Sequence, residues 1–199
     1  MIDARETTSP ELESWLDVAP GSDFPIQNLP FGIFVRDRET TGRIGVAIGD
    51  RILDLRAVAE SGLLDEACER RLLERQRLNA LFARGRETLS ALRRRISMLL
   101  RRDGDPALRL ANADFFFVPR DGTRMLMPVE VGDYVDFYSS LEHATNLGRL
   151  FRPDAEPLLP NWRWMPIGYH GRSATIVAGG TPIVRPSGQR KPKDASEPV

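Results

Sequence analysis

The sequence has a single cysteine, Cys68, among its 199 residues. One thiol can form no intramolecular disulfide and can supply no cysteine-rich zinc cluster. Stabilisation by disulfide bonds and by a cysteine zinc site is therefore excluded. No apolar run approaches the roughly 20 residues that span a bilayer, and the acidic start MIDARETTSPELESWLD lacks the basic and apolar regions of a secretory signal. We therefore expect a cytoplasmic protein with no membrane partner.

The chain also lacks an excess of charge of either sign, since Lys and Arg together number 28 and so do Asp and Glu. Balanced charge gives no overall attraction to nucleic acid or to an anionic membrane. Residues 70–102 differ, because they carry eleven arginines and no lysine. A nucleic-acid-binding face is one interpretation, but this segment has one aromatic residue, Phe82, and no known motif. A solvated arginine face, its long stems covering apolar surface, is the favoured interpretation, and we expect no nucleic-acid partner.

The first half of the chain contains a compact run of strand signals. Residues 1–24 form a polar lead-in, in which SPELESWL could make one or two helical turns with Ser9 as the cap. Beyond them, β-branched and aromatic residues recur in three runs, Ile33 to Val35, Ile44 to Ile48 and Arg51 to Leu55. Gly49-Asp50 separates the last two runs and is typical of a two-residue hairpin turn. The pattern predicts a small antiparallel β unit.

A helical period replaces the strand pattern from Asp65 to Arg102. Leucines, Phe82 and Ile96 recur at spacings of three and four residues, which indicates helices with one apolar face. Gly85 is predicted to separate two of these helices. Residues 119–128, PRDGTRMLMP, are predicted to be a turn and a link, with a domain boundary close by.

The second half holds both histidines, all three tyrosines and two of the three tryptophans. The Gly- and Pro-rich segment ATIVAGGTPIVRP is predicted to form strands. The last residues, SGQRKPKDASEPV, are charged and have no apolar anchor, and we expect them to be a loop cut short. His170 and Arg172 are predicted to orient a tight turn, and Trp162 and Trp164 to be packing residues.

Residues 133–151, DYVDFYSSLEHATNLGRLF, are the richest in reactive side chains. Ser139-x-x-Glu142 fits a capping box, which predicts a helix from Ser140 to about Phe151 with His143 in its first turn. Asp136 is two residues before Tyr138, so in a strand both would point to one side. A carboxylate, a phenol and an imidazole could then converge, although such residues also commonly serve only as caps, core or structural groups.

The segments VGDYVDFYSSLEHATNLGRLFR and LLPNWRWMPIGYHGRSATIVAGGTPIVRPSGQ closely resemble the fumarylacetoacetase family. SDFPIQNLPFGIF and RIGVAIGDRILDL are similar to its amino-terminal domain, so the resemblance runs from Ser22 onward. It implies an α+β, mainly β fold. Residues 1–127 would form an SH3-like β-barrel with helices, and residues 128–199 the start of a β-rich roll that carries the chemistry. It also implies a homodimer.

The resemblance assigns roles to five residues. Asp136 would be a ligand of a divalent cation, Ca²⁺ or Mg²⁺, and His143 the base that activates water. Tyr138 and Tyr169 would contact the substrate, a diketo acid, and Arg152 would pair with its carboxylate. Each role suits its side chain, since guanidinium grips carboxylate bidentately and phenols hydrogen-bond to oxygen without adding charge.

The activity implied is metal-dependent hydrolysis of the carbon–carbon bond of 4-fumarylacetoacetate to fumarate and acetoacetate, the last step of tyrosine and phenylalanine catabolism. The family pattern also requires two glutamates and another aspartate as metal ligands, a carboxylate that supports the histidine and a lysine for the leaving group, none of which residues 1–199 match. We therefore expect the amino-terminal half of an enzyme, inactive alone. The alternative is a non-catalytic binding or interaction module derived from the same family.

Overall fold

A computed structural model describes residues 4–37 and 39–198 of the chain. It contains seven strands: β1 (Phe31–Val35), β2 (Arg43–Ile48), β3 (Arg51–Asp54), β4 (Phe117–Pro119), β5 (Arg124–Leu126), β6 (Val135–Asp136) and β7 (Tyr169–His170). The α-helices are α1 (Leu55–Glu60), α2 (Arg70–Leu73), α3 (Asn79–Phe82), α4 (Gly85–Leu100), α5 (Ala107–Leu110), α6 (Ala113–Phe116) and α7 (Leu141–Phe151). Short 3₁₀ turns lie at Ala4–Thr7, Pro160–Arg163 and Ser173–Thr175.

The first five strands form one antiparallel sheet in the order β4-β3-β2-β1-β5. β4 and β5 are therefore at opposite edges, yet only residues 120–123 connect them. Edge strands of a flat sheet of this width would lie about 19 Å apart. That link would reach about 18 Å even if fully extended, and a turn with a hydrogen bond from Thr123 N–H to Arg120 C=O shortens it further. The sheet must curl, and it does so into a half-barrel.

The predicted antiparallel unit is confirmed. β2 pairs with β1 and with β3, and Ile48 faces Arg51 across the predicted Gly49-Asp50 turn. Gly49 has a φ of 55°, a left-handed conformation that glycine adopts without steric cost. The segment predicted to be a link is only partly so, because β5 completes the sheet by pairing with β1. Three-residue strands are too short to show an alternating pattern in sequence.

The helices cover the sheet and enclose the core. The predicted break at Gly85 is confirmed, since α3 ends at Phe82 and α4 begins at Gly85, whose φ is 81°. α4 buries Leu92, Ile96 and Leu99 against the sheet-side cluster, as the spacing of three and four predicts. No helix among the described residues has both the length and the apolar character needed to cross a bilayer.

Asp54 is a fully buried acid where β3 passes into α1. Its Oδ1 accepts the backbone N–H groups of Arg56 and Ala57, which caps the helix. Its Oδ2 accepts Arg36 Nη2 at 2.8 Å and Arg43 Nη1 at 3.1 Å. Arg36 follows β1 and Arg43 begins β2, so one carboxylate ties together the ends of three strands and the start of a helix.

Residues 128–198 are organised differently from the half-barrel. Nearly all buried apolar side chains lie at or before Phe117, and Ala144 is the exception. The described chain is thus a mixed α and β protein rather than a mainly β one. The strands predicted in residues 174–184 are absent from the described structure, which has there only the end of a 3₁₀ turn followed by irregular chain. An apolar run without a neighbouring strand has no ladder to join.

The lead-in also departs from its prediction. Ser9 does not cap a helix; a turn brings Leu12 N–H to Ser9 C=O. Ser14 instead forms an isolated bridge with Arg101, and the Trp15 indole N–H donates to Leu99 C=O at 2.8 Å. Contacts with α4 and the residue after it therefore decide the conformation of this segment, in place of its own helical tendency.

Candidate functional site

The site residues lie on a two-stranded ribbon, a turn and the start of α7. β6 pairs antiparallel with β7, so that Asp136 faces Tyr169 and Val135 faces His170. Directly opposed residues of an antiparallel pair project to the same side. The ribbon therefore presents the carboxylate of Asp136 and the phenol of Tyr169 on one face.

Tyr138 is not in a strand, contrary to the prediction. β6 ends at Asp136, and Tyr138 has a φ of 52°, the left-handed region that a bulky residue rarely adopts. The Oδ1 atom of Asp136 accepts the N–H of Tyr138 at 2.8 Å. An aspartate that bonds the backbone two residues on makes a turn of its own, and this turn bends the chain from the ribbon toward α7.

The predicted helix is confirmed, but its cap is one residue later than the capping box suggested. α7 spans Leu141–Phe151, and its cap is Ser140, whose Oγ accepts the N–H of His143 at 3.3 Å. His143 thus lies in the first turn, as predicted. Ser139 and Ser140 are the same residue type, so residue type alone does not decide which of them caps the helix. The point at which the chain leaves its extended conformation decides it.

Tyr138 and His143 are in direct contact. Their rings meet edge to face, with centroids 5.8 Å apart and planes at 77°. The phenol O–H of Tyr138 donates to Ala144 C=O at 3.1 Å, and its own C=O accepts the indole N–H of Trp162 at 3.1 Å. Trp162, predicted to be a packing residue, is a hydrogen-bond donor to the site. Sequence spacing gives no signal for this contact, because 24 residues separate the partners.

Arg152 makes no described hydrogen bond with the other four candidate residues. It follows α7, nine residues after His143, which is about 14 Å along a helix axis. Its Nη2 donates to Pro157 C=O at 2.6 Å, and its Nε is buried without a hydrogen-bond partner. In the described chain no hydrogen bond or ring contact joins Arg152 to Asp136, Tyr138 or His143.

The site is open to solvent. Asp136 and His143 are exposed, and Tyr169 is 63% exposed. The apolar chain neighbours of Asp136 are exposed as well, Val135 at 53% and Phe137 at 56%. In this arrangement water has free access to the imidazole, and nothing in the described chain excludes bulk solvent from the reacting groups.

A second polar pair, Asp133 and His170, lies on the opposite face of the ribbon. Asp133 Oδ2 and His170 Nε2 are 2.6 Å apart. Asp133 shares the face of Val135, which opposes His170 in the ladder. The prediction that His170 merely orients a turn is wrong, because His170 is in β7 and bonds Asp133, which lies two residues before β6. The pairing of His170 with Asp133 can be recognised only once the register of β6 and β7 is known.

The described residues do not by themselves form a metal site. No group of three or more His, Cys, Asp or Glu side chains is placed to hold a metal ion in residues 4–37 and 39–198. Ca²⁺ takes about six to eight oxygen ligands, whereas Asp136 supplies one carboxylate that already bonds a backbone N–H. We therefore assign no chemical step to a metal held by this chain alone.

The arginine-rich helices use their charge internally. Seven of the eleven arginines form ion pairs with carboxylates, several of them on other elements: Arg70, Arg71, Arg84, Arg94, Arg95, Arg101 and Arg102. Arg93 is half-buried and donates to Gln27 C=O at 2.7 Å and to Leu29 C=O, and burial lowers the pKa of its guanidinium. Arg93, Arg94 and Arg102 thus hold α4 and the residues after it to residues 6–29, whereas Arg71 and Arg84 remain exposed, as the predicted solvated face requires.

Cys68 has no site around it. It is buried in the loop before α2, and burial raises the pKa of its thiol. A raised pKa lowers the thiolate fraction, and the thiolate is the reactive form.

Comparison with known proteins places the chain in a family. Residues 27–128 match the family described as fumarylacetoacetase N-terminal, which is half of the chain. The chain belongs to that family. The match covers the whole half-barrel from just before β1 to just after β5, so the family and the folded core coincide.

The similarity continues beyond the matched domain. The chain is 42% identical over 193 residues to the fumarylacetoacetase of Caenorhabditis elegans, covering 94% of this chain and 45% of that protein. It is 42% identical to the fumarylacetoacetase of Oryza sativa subsp. japonica, covering 98% and 47%, and 40% identical to that of Homo sapiens, covering 94% and 45%. The chain therefore spans less than half the length of these relatives, and the similarity includes residues of the candidate site.

Proposed function

We propose that this chain is the amino-terminal part of a fumarylacetoacetase-type hydrolase that cleaves 4-fumarylacetoacetate into fumarate and acetoacetate. The observation that supports this most is identity of 40–42% over 94–98% of the chain to proteins named fumarylacetoacetase. The contact between the rings of Tyr138 and His143 beside the Asp136 turn adds an arrangement suited to acid–base chemistry.

His143 is proposed to be the general base. Hydrolysis of a carbon–carbon bond in a 1,3-diketone requires water to lose a proton as it attacks the carbonyl, and an imidazole can accept that proton near neutral pH. The Ser140 cap fixes the backbone of His143, and the edge of the Tyr138 ring limits how its imidazole can rotate. The ring stays exposed, so a water molecule can reach it.

The other four residues are proposed to bind substrate and cation. Asp136 would provide one carboxylate ligand to Ca²⁺ or Mg²⁺, with the remaining ligands from sequence corresponding to the part of the relatives that this chain does not cover. A cation held there would polarise the diketone oxygens. Tyr138 and Tyr169 would donate hydrogen bonds to substrate oxygens. The unpartnered Nε of Arg152 supports a role in binding a substrate carboxylate, provided that the turn at Pro157 moves.

Several broader features belong to the same proposal. Residues 1–127 would be an SH3-like barrel, an identity to which the curled five-stranded sheet lends support, and the catalytic domain would begin at residue 128. The complete protein would be a cytoplasmic homodimer. A non-catalytic module derived from the family is the alternative, and absence of turnover in the complete protein would favour it.

Variants of the complete protein test the proposal. His143→Ala should lower kcat by about 10² or more, the scale of lost acid–base help, with metal content unchanged. Asp136→Ala should instead weaken metal binding. Asn146→Ala, an exposed position one turn further along α7, is the matched control and should retain full turnover. Normal turnover of 4-fumarylacetoacetate by both His143→Ala and Asp136→Ala would contradict the proposed roles.

A further inference from the structure

Tyr138 is the one described residue other than glycine with a positive φ. A tyrosine in this conformation costs free energy, because its Cβ crowds the backbone, and it persists only where surrounding contacts over-determine it. The conformation is therefore maintained by specific partners, and those partners control where the Tyr138 ring lies.

Each polar group of Tyr138 has a partner on a different part of the chain. Its N–H donates to Asp136 Oδ1 at 2.8 Å, and its phenol O–H donates to Ala144 C=O at 3.1 Å. Its C=O accepts the indole N–H of Trp162 at 3.1 Å. The first two partners lie within six residues of Tyr138, so Trp162 is the only one of the three that comes from a distant segment.

Trp162 is well placed to fix that carbonyl. It lies in the 3₁₀ turn Pro160–Arg163, where its backbone N–H donates to Leu159 C=O. Pro160 restricts the backbone at the start of this turn. An indole N–H is a donor only and has one direction, so it selects one orientation of the peptide plane that follows Tyr138. Trp164, two residues later, is 84% exposed.

We propose that Trp162 is a positioning residue for His143, acting through Tyr138. Its indole N–H locks the left-handed backbone of Tyr138, the locked backbone directs the phenol ring toward α7, and contact with that ring, at a centroid distance of 5.8 Å, restrains the imidazole of His143. The catalytic meaning of this restraint rests on the proposed function, whereas the restraint itself is a property of this chain.

The chain offers a clean spectroscopic test, since it contains only two histidines and three tryptophans. In NMR spectra of the chain, the Trp162 indole N–H should exchange with solvent roughly fivefold more slowly than that of Trp164, the factor that a net hydrogen bond contributes. The chemical shifts of the His143 ring protons should be changed by the ring current of Tyr138. Equal exchange of the two indoles would overturn the proposal.

Trp162→Phe removes the donor and retains an aromatic ring, and Trp164→Phe is its matched control. Trp162→Phe should abolish the ring-current displacement of His143 while the His170 resonances, which report the Asp133 pair, stay in place. If Trp162→Phe changed the His143 chemical shifts no more than Trp164→Phe does, the proposal would be refuted. Equal movement of His143 and His170 would also refute it, because Trp162 would then stabilise the segment as a whole.

A kinetic arm separates this inference from the proposed function. In the complete hydrolase, Trp162→Phe should lower kcat at least about tenfold with little change in KM, since a misoriented base slows the chemical step rather than binding. If the unaltered complete protein showed no turnover, the proposed function would fail while the NMR result would still decide the positioning of His143. A raised KM with kcat unchanged would overturn the positioning role.

Discussion

Replacing Asp54 by alanine should destabilise the half-barrel more than any surface substitution. The change removes the α1 cap, which contributes about 1 kcal/mol. It also leaves the guanidiniums of Arg36 and Arg43 without their shared carboxylate, and breaking a buried ion pair costs about 3–5 kcal/mol. Arg43 retains Glu39 as a partner and both arginines keep some solvent contact. The combined loss should therefore be about 4 kcal/mol, the low end of the sum.

Asp54→Asn separates the two contributions. Asparagine caps a helix about as well as aspartate, so the N–H groups of Arg56 and Ala57 stay bonded while the negative charge is lost. We expect a loss of about 2 kcal/mol from the charge alone, since hydrogen bonds to a charged group contribute about 1.5–3 kcal/mol. Glu60→Ala, which removes only the exposed pairs of Glu60 with Arg56 and Arg70, is the control and should cost about 0.5 kcal/mol or less.

Urea unfolding followed by circular dichroism measures these differences, provided that the m-value is the same for all variants. We expect the loss of unfolding free energy to be largest for Asp54→Ala, smaller for Asp54→Asn and smallest for the control Glu60→Ala. An Asp54→Ala protein within about 1 kcal/mol of the wild type would refute the reasoning, because a fully buried carboxylate with four donors cannot then be holding three strand ends together.

Three further outcomes are expected. The 199-residue chain alone should turn over no diketone and bind Ca²⁺ only weakly in calorimetric titration, because Asp136 is the one carboxylate proposed as a ligand and the described residues contain no group of three or more side chains that could hold a metal; micromolar binding with turnover would contradict this. Gly148→Ala should loosen the end of α7, measured by faster amide exchange there, because a Cβ would overlap the backbone of Pro157. Asp105 has a lowered pKa, chiefly through the Ala107 N–H, so its stabilisation should be complete above about pH 3.9 and vanish as pH falls through the folded pKa. Asp105→Asn should weaken the dependence of stability on acid pH. If acid unfolding were unchanged in this variant, Asp105 would not contribute to that dependence.

Local patterns predicted the elements whose cause is local. The hairpin at Gly49-Asp50, the strands on either side of it and the break at Gly85 all follow from turn chemistry or from periods of two and 3.6 residues. α7 follows from its cap and its apolar spacing, although Ser140 rather than Ser139 is the cap. The sequence motifs also indicated the family that the comparisons show.

The wrong predictions concern segments whose conformation depends on a distant partner. The expected strands in residues 174–184 found no neighbour, whereas Arg124 to Leu126, expected to be a link, pairs with β1 and completes the sheet. A strand needs a ladder as well as a propensity, and a one-dimensional pattern does not identify the neighbour.

The candidate site divides along the same line. The sequence by itself determined which side chains are available and that His143 begins a helix, because residue type and capping are local properties. Only the tertiary structure decided that Tyr138 turns left-handed under the Trp162 indole, that His170 meets Asp133 and that Arg152 bonds Pro157. The Trp162 and His170 contacts join residues 24 and 37 positions apart in the chain, and their free energy is gained only once the surrounding backbone has brought the partners together.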